Sequence, residues 1–183
     1  MPTEKEWEEI NYRRMCYIDK RNSENEEIGL ENGLTENQIE AIEDICCLRH
    51  EIHCTDVRSI VSQTENDRIT EYLAEINSLI DENNLPEIDV DENTYLYDWL
   101  DDLDWYELAE ETRPKYYEQA KKKIGSDDEN ALYDLAYKLF FEDAVDVCGD
   151  IKEKINNKIE SWLRDIDTKY GTSYTPSGAQ RIY

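Results

Sequence analysis

Carboxylates crowd the stretch YLYDWLDDLDWYELAEE, residues 95–111, where seven Asp or Glu side chains alternate with Tyr and Trp and no Lys or Arg intervenes. The chemistry open to such a segment is electrostatic. Carboxylates at i, i+3 and i+4 of a helix stand about 5–6 Å apart, close to the spacing of successive phosphates on one nucleic-acid strand, and duplex DNA carries one negative charge per about 1.7 Å of axis. A helix bearing Asp98, Asp101 and Asp102, flanked by Asp91, Glu92 and Asp104, can therefore offer a phosphate-like ladder to a protein groove built for nucleic acid. Trp105 falls within the same acidic arc. Large aromatic rings anchor interfaces, and an Arg can stack on one while it pairs a neighbouring carboxylate.

The run extends well beyond this segment. Between Arg68 and Arg113 lie 44 residues with fifteen Asp or Glu and no basic residue. Like charges at helical spacing repel by about 0.3 kcal/mol per pair, so the pattern works against stability. A solvated helix face is the bland explanation of an acid run, and a surface for a basic partner is the sharp one.

A second constellation is CCLRHEIHC, residues 46–54, which holds three of five cysteines and both histidines. Cys46, His50 and His53 share a helical face with Cys54 at its margin, a spacing that can place two ligands on one zinc ion. One helix rarely supplies four ligands, however, and no C-x2-C knuckle is present. Core packing or a homodimer seam is the competing explanation. A Cys46/His50 nucleophilic pair would need an oxyanion site that nothing in the sequence marks. Phosphate-cradling Gly-rich loops, H-E-x-x-H, G-x-S-x-G and EF-hand loops are all missing, and six glycines leave little material for a cradle. No cofactor and no catalysis are therefore expected.

The elements that must carry these residues are helices. Thr3 with Glu6 opens one that runs to about Arg21, after which NSENEEIGLENG reads as a loop. Thr35 with Gln38 has capping-box spacing, and Ile39, Ile42, Ile45, Cys46 and Ile52 carry a helix to about His53. A short segment at 56–62 precedes a helix after Thr64, with Ile69, Leu73, Ile76, Leu79 and Ile80 as its inward stripe and NNLP as its stop. LPEIDV, residues 85–90, is the place where a minor strand fits. Residues 95–111 read as the next helix. Pro114 starts another that ends in Lys121, Lys122, Lys123 and Gly125, which suits the macrodipole. Ser126 with Glu129 opens a helix to Gly149, and a last one runs from Ile151 to Gly171 before a turn-rich tail. The expected fold is all-α, an irregular bundle of about six to seven helices, in one acidic domain over 1–183 with a division into two lobes near 83–93 as the alternative.

Bulk properties narrow the function. A chain of 183 residues can build a real core, and thirteen Tyr with four Trp argue against a disordered acidic tail. A net charge of −25 excludes ordinary binding to nucleic acid or anionic membranes, which needs cationic patches, and points to a basic partner. No 18-residue apolar run exists and MPTEKEWEEINYRR has no apolar core segment, so a cytoplasmic protein without a secretory signal is expected. Disulfides are not expected there.

In its acidity, its helical make-up and the aromatic-laced segment YLYDWLDDLDWYELAEE, the chain resembles phage anti-defence proteins of the DNA-mimic kind. Within that group it is similar in general character to anti-CRISPR inhibitors of type II RNA-guided effector nucleases. The resemblance implies a non-enzymatic inhibitor that fills the effector's cationic channel, with Asp98, Asp101, Asp102 and Asp104 in place of phosphates and Trp105 and Tyr106 as anchors. An acidic adaptor for another basic protein and an anti-restriction protein are the alternatives, and a metal enzyme built on Cys46, His50 and His53 is a third.

Overall fold

The computed structural model describes residues 3–62, 68–88, 114–125 and 128–175. Six α-helices form among the described residues and no strand does: α1 Glu4–Glu31, α2 Glu36–Cys54, α3 Val57–Ser62, α4 Arg68–Glu82, α5 Pro114–Ile124 and α6 Glu129–Tyr170. The chain is all-α. Two compact units divide it, one from Met1–His50, Glu75–Asp89 and Asn157–Tyr183, the other from Glu51–Ala74 and Val90–Asn156.

Local signals start several helices. The Thr3 hydroxyl accepts the Glu6 amide while the Glu6 carboxylate accepts the Thr3 amide at 2.7 Å, a reciprocal capping box. Thr35 and Gln38 do the same ahead of α2, at 3.1 and 3.2 Å. α5 begins at Pro114 and stops before Gly125, whose φ of +62° is left-handed. Beyond the end of α4 the chain turns at Asn84, whose φ is +51°.

α1 runs ten residues past Arg21, through the segment expected to be a loop. Its inward side there is Asn25 and Gly29, which give no hydrophobic period. Asn25 is 1% exposed and its side-chain oxygen accepts the Ser173 amide at 2.8 Å. A Cβ on Gly29 would stand 3.1 Å from Leu34 Cδ1 and 3.3 Å from Ile39 Cδ1, so glycine lets α2 approach this turn closely. The helix closes in a Schellman pattern: Gly33, at φ +98°, donates to Leu30 O, and Leu34 donates to Gly29 O at 2.9 Å.

α6 is one helix of 42 residues where two were expected to meet at Gly149. Glycine costs a helix interior about 1 kcal/mol, and the inward residues on either side outweigh it, since Ala144, Cys148, Ile151 and Ile155 are all buried. The helix starts from Asp128, whose Oδ1 accepts the Asn130 and Ala131 amides. Ser126, the cap expected from sequence, lies outside the described residues. At the other end the tail is partly core: Asp167 accepts from the Thr172 hydroxyl at 2.9 Å and from the Tyr174 and Thr175 amides at 2.7 and 2.8 Å, which folds Tyr174 inward to 1% exposure.

In the first unit Ile42, Ile45, Ile76, Ile80, Ile159 and Leu163 are almost wholly buried. Trp162 joins them and its indole N–H donates to Pro86 O at 2.7 Å. Glu160 bridges Arg49, at 2.8 Å, and Arg164 on that side of α6. The second unit buries Ile52, Ile69, Leu73, Phe140, Cys148 and Ile155. There Lys152 donates to His53 O and Thr55 O, holding the end of α2. No helix among the described residues is long and apolar enough to cross a membrane.

Candidate interaction surface

Asp91, Glu92, Asp98, Asp101, Asp102, Asp104, Trp105 and Tyr106 lie outside the described residues, as do positions 89 and 90 of the expected strand. Residues 85–88 form no strand.

Among the described residues, α1 and α2 of the first unit build an acidic surface. Residues 22–48 contain eight Asp or Glu and no Lys or Arg. Core demands set their directions. Ile39, Ile42 and Ile45 turn inward at 4% exposure or less, so Glu36, Glu40 and Asp44, at successive i+4 positions, form a line on the exposed side of α2. On α1 Glu27 and Glu31 repeat the spacing and are likewise exposed. Glu24 pairs with Lys20 at 3.6 Å. Among the described residues, no cation lies within ion-pairing distance of Glu27, Glu31, Glu36, Glu40 or Asp44.

Glu43 registers the resulting field. Its carboxyl is pushed above the ordinary value of 4.5, first by burial, then by Glu26, with Asp44 and Glu40 adding and Arg21 opposing. A carboxyl with a raised folded-state pKa is destabilising when ionised, and the folded state regains that stability as pH falls through the folded pKa toward 4.5. Glu43→Gln is therefore expected to raise the melting temperature at pH 7.5. Relief of like-charge repulsion is worth about 0.3 kcal/mol, or roughly 1 °C in a chain of this size, and the gain should shrink as pH approaches 4.5. Thermal melts across that range check it, and a lower melting temperature for the variant at pH 7.5 would refute it. Asp143 has the opposite sign: Lys115 holds its carboxyl below 3.8, so its contribution is lost only under stronger acid.

The Cys/His segment lies on the second half of α2. Burial pushes the Cys46 thiol up to about 12, which disfavours the thiolate that metal ligation and nucleophilic attack both use. His50, His53 and Cys54 are exposed. Among the described residues no three His, Cys, Asp or Glu side chains come together in a way that could hold a metal. None of the five cysteines is in a disulfide; Cys16, Cys47 and Cys54 are exposed and Cys148 is buried.

The second unit has a shallow cleft of about 310 Å³ lined by Lys115, Tyr116, Phe140, Asp143 and Val147. The Asp143 carboxylate accepts from Lys115 Nζ at 2.8 Å and from the Tyr116 hydroxyl at 3.0 Å. With its pKa held low and its acceptor engaged, Asp143 is a poor general base.

Sequence reasoning passed over the α1–α2 face because residues 22–33 lack apolar periodicity and the acids of 36–44 are interleaved with isoleucines. The missing signal was the absence of Lys and Arg over 27 residues, the same property that singled out 69–112. No family model, curated protein or solved structure matches the chain.

Proposed function

We propose that the chain is a non-enzymatic inhibitor that seats carboxylate ladders in the cationic groove of a nucleic-acid-binding enzyme of bacterial defence. By its resemblance to anti-CRISPR proteins, the target class is a type II RNA-guided effector nuclease. The observation that carries this reading is the line Glu36, Glu40, Asp44 on α2, which stands exposed without a cation in a sequence that has none from 22 to 48. Such a line costs folding energy through mutual repulsion. A groove lined with Lys and Arg would neutralise it, and exclusion of nucleic acid from that groove would follow without any reaction. The acidic run at 91–106 lies outside the described residues, and its Asp98, Asp101, Asp102 and Asp104, with Trp105 and Tyr106, are proposed from the sequence as a further contact.

Capture from a bacterial lysate on the immobilised chain tests the proposal, with and without heparin as a competing polyanion. The expected result is recovery of a nucleic-acid-binding nuclease that heparin displaces, that rising salt releases, and whose DNA cleavage the purified chain blocks. Binding of a basic protein with no effect on its nucleic-acid chemistry would move the assignment to an acidic adaptor.

A further inference from the structure

We infer that the first turns of α1 pair antiparallel with the same turns of a second copy of the chain. This inference goes beyond the proposed function and uses a different surface. Residues 4–21 form about five helical turns, and apart from the half-buried Ile10 they leave large side chains exposed: Trp7 is 45% exposed, Tyr12 69%, Met15 63%, Tyr17 52% and Ile18 42%. Trp7, Ile10, Ile18 and Asn25 fall on one side of the helix. At Asn25 that side packs into the first unit, and toward the N-terminus it carries the exposed Trp7 and Ile18 and the half-buried Ile10, with Arg14 and Arg21 between these positions in sequence.

Charge selects the occupant. Residues 3–21 hold five acids and five bases, so this segment is neutral in a chain of net charge −25. A surface for a cationic partner would be acidic, as the α1–α2 face is. The charges are also segregated along the axis. Glu4, Glu6, Glu8 and Glu9 against Lys5 leave residues 4–9 at −3, and Arg13, Arg14, Lys20 and Arg21 against Asp19 leave residues 13–21 at +3. Antiparallel pairing lays each negative end over the partner's positive end, and the Trp7 and Ile18 sides meet between them. Parallel pairing would set like charge against like. Within the helix only part of this charge is engaged among the described residues, by Arg13–Glu9 at 2.5 Å and Lys20–Glu24 at 3.6 Å.

A single helix pair of this length is a small interface, so a reversible micromolar association is expected. Sedimentation equilibrium of the full chain should show monomer and dimer exchanging over the micromolar range, and a monomer up to several hundred micromolar would overturn the inference. Trp7→Ser with Ile18→Ser should weaken the dimer at least tenfold without unfolding the chain, because both side chains are already exposed. Charge reversal tests the direction. By helical spacing Glu4, Glu8 and Arg14 are the charged positions on or beside the Trp7/Ile18 side, so Glu4→Lys/Glu8→Lys and Arg14→Glu should each weaken self-association, whereas a mixture of the two variants should recover a heterodimer. Self-association unchanged in all these variants, or no recovery on mixing, would overturn antiparallel pairing through α1. Retained circular dichroism and an unchanged response to heparin separate this result from failure of the proposed inhibitory surface.

Discussion

Conversion of Glu36, Glu40 and Asp44 together to Gln, Gln and Asn is expected to weaken binding to a cationic target by roughly tenfold to a hundredfold and to leave helix content unchanged. The magnitude follows from the contacts removed. An exposed ion pair contributes up to about 1 kcal/mol, so three of them at about 0.5–1 kcal/mol each total about 1.5–3 kcal/mol, where 1.4 kcal/mol is a factor of ten. Folding should not suffer. All three side chains are exposed, and loss of like charge at i, i+4 offsets the small loss of Glu36 from the N-terminal turn of α2. The salt dependence of binding should flatten at the same time, because fewer charges are neutralised on association. A parallel variant with Asp98, Asp101 and Asp102 changed to Asn addresses the other acidic run and carries the same expectation. Titration calorimetry at two salt concentrations measures both. Wild-type affinity in both triple variants would remove charge mimicry as the basis of binding.

Loss of the Glu160 carboxylate is expected to destabilise the fold about as much as a core truncation. Glu160 has only 9% of its side chain exposed and accepts from Arg49, itself 19% exposed, at 2.8 Å. The second bond, to Arg164, reaches a mostly exposed guanidinium and contributes little. With Glu160→Ala the Arg49 charge stays buried, and its Nε already has no partner among the described residues. Breaking one half of a buried pair costs about 3–5 kcal/mol, which in a chain of this size lowers the melting temperature by roughly 6–20 °C. Arg49→Met in the Glu160→Leu background should restore most of that loss, since a matched apolar pair removes the stranded charge as well. A single-variant loss under about 1 kcal/mol would place this pair with ordinary surface ion pairs.

Much of the fold was legible because its punctuation is local. The Thr3/Glu6 and Thr35/Gln38 boxes close as their spacing requires, and Ile69, Leu73, Ile76 and Ile80 bury as one stripe. The failures share a cause, which is that a distant partner overrode a local signal. Asn25 and Gly29 look like loop residues until Ser173 and Leu34 are brought against them. Gly149 looks like a stop until the buried residues on either side hold the helix together. Tyr174 looks like tail until Asp167 gathers the amides around it. The candidate site suffered from the same limit: an acid run is conspicuous in sequence when it is unbroken, whereas Glu36, Glu40 and Asp44 become a line only once the helix has turned their isoleucine neighbours inward.

The surface position of Cys16, Cys47 and Cys54 has a practical consequence. Thiols that meet solvent oxidise readily, and by helical spacing Cys16 lies on the side of α1 opposite Trp7, clear of the proposed pairing face. Air oxidation can therefore weld two chains covalently at sulfur, giving a species that survives denaturant and vanishes under a reductant, behaviour that a pair held by apolar contact and opposed charge does not share.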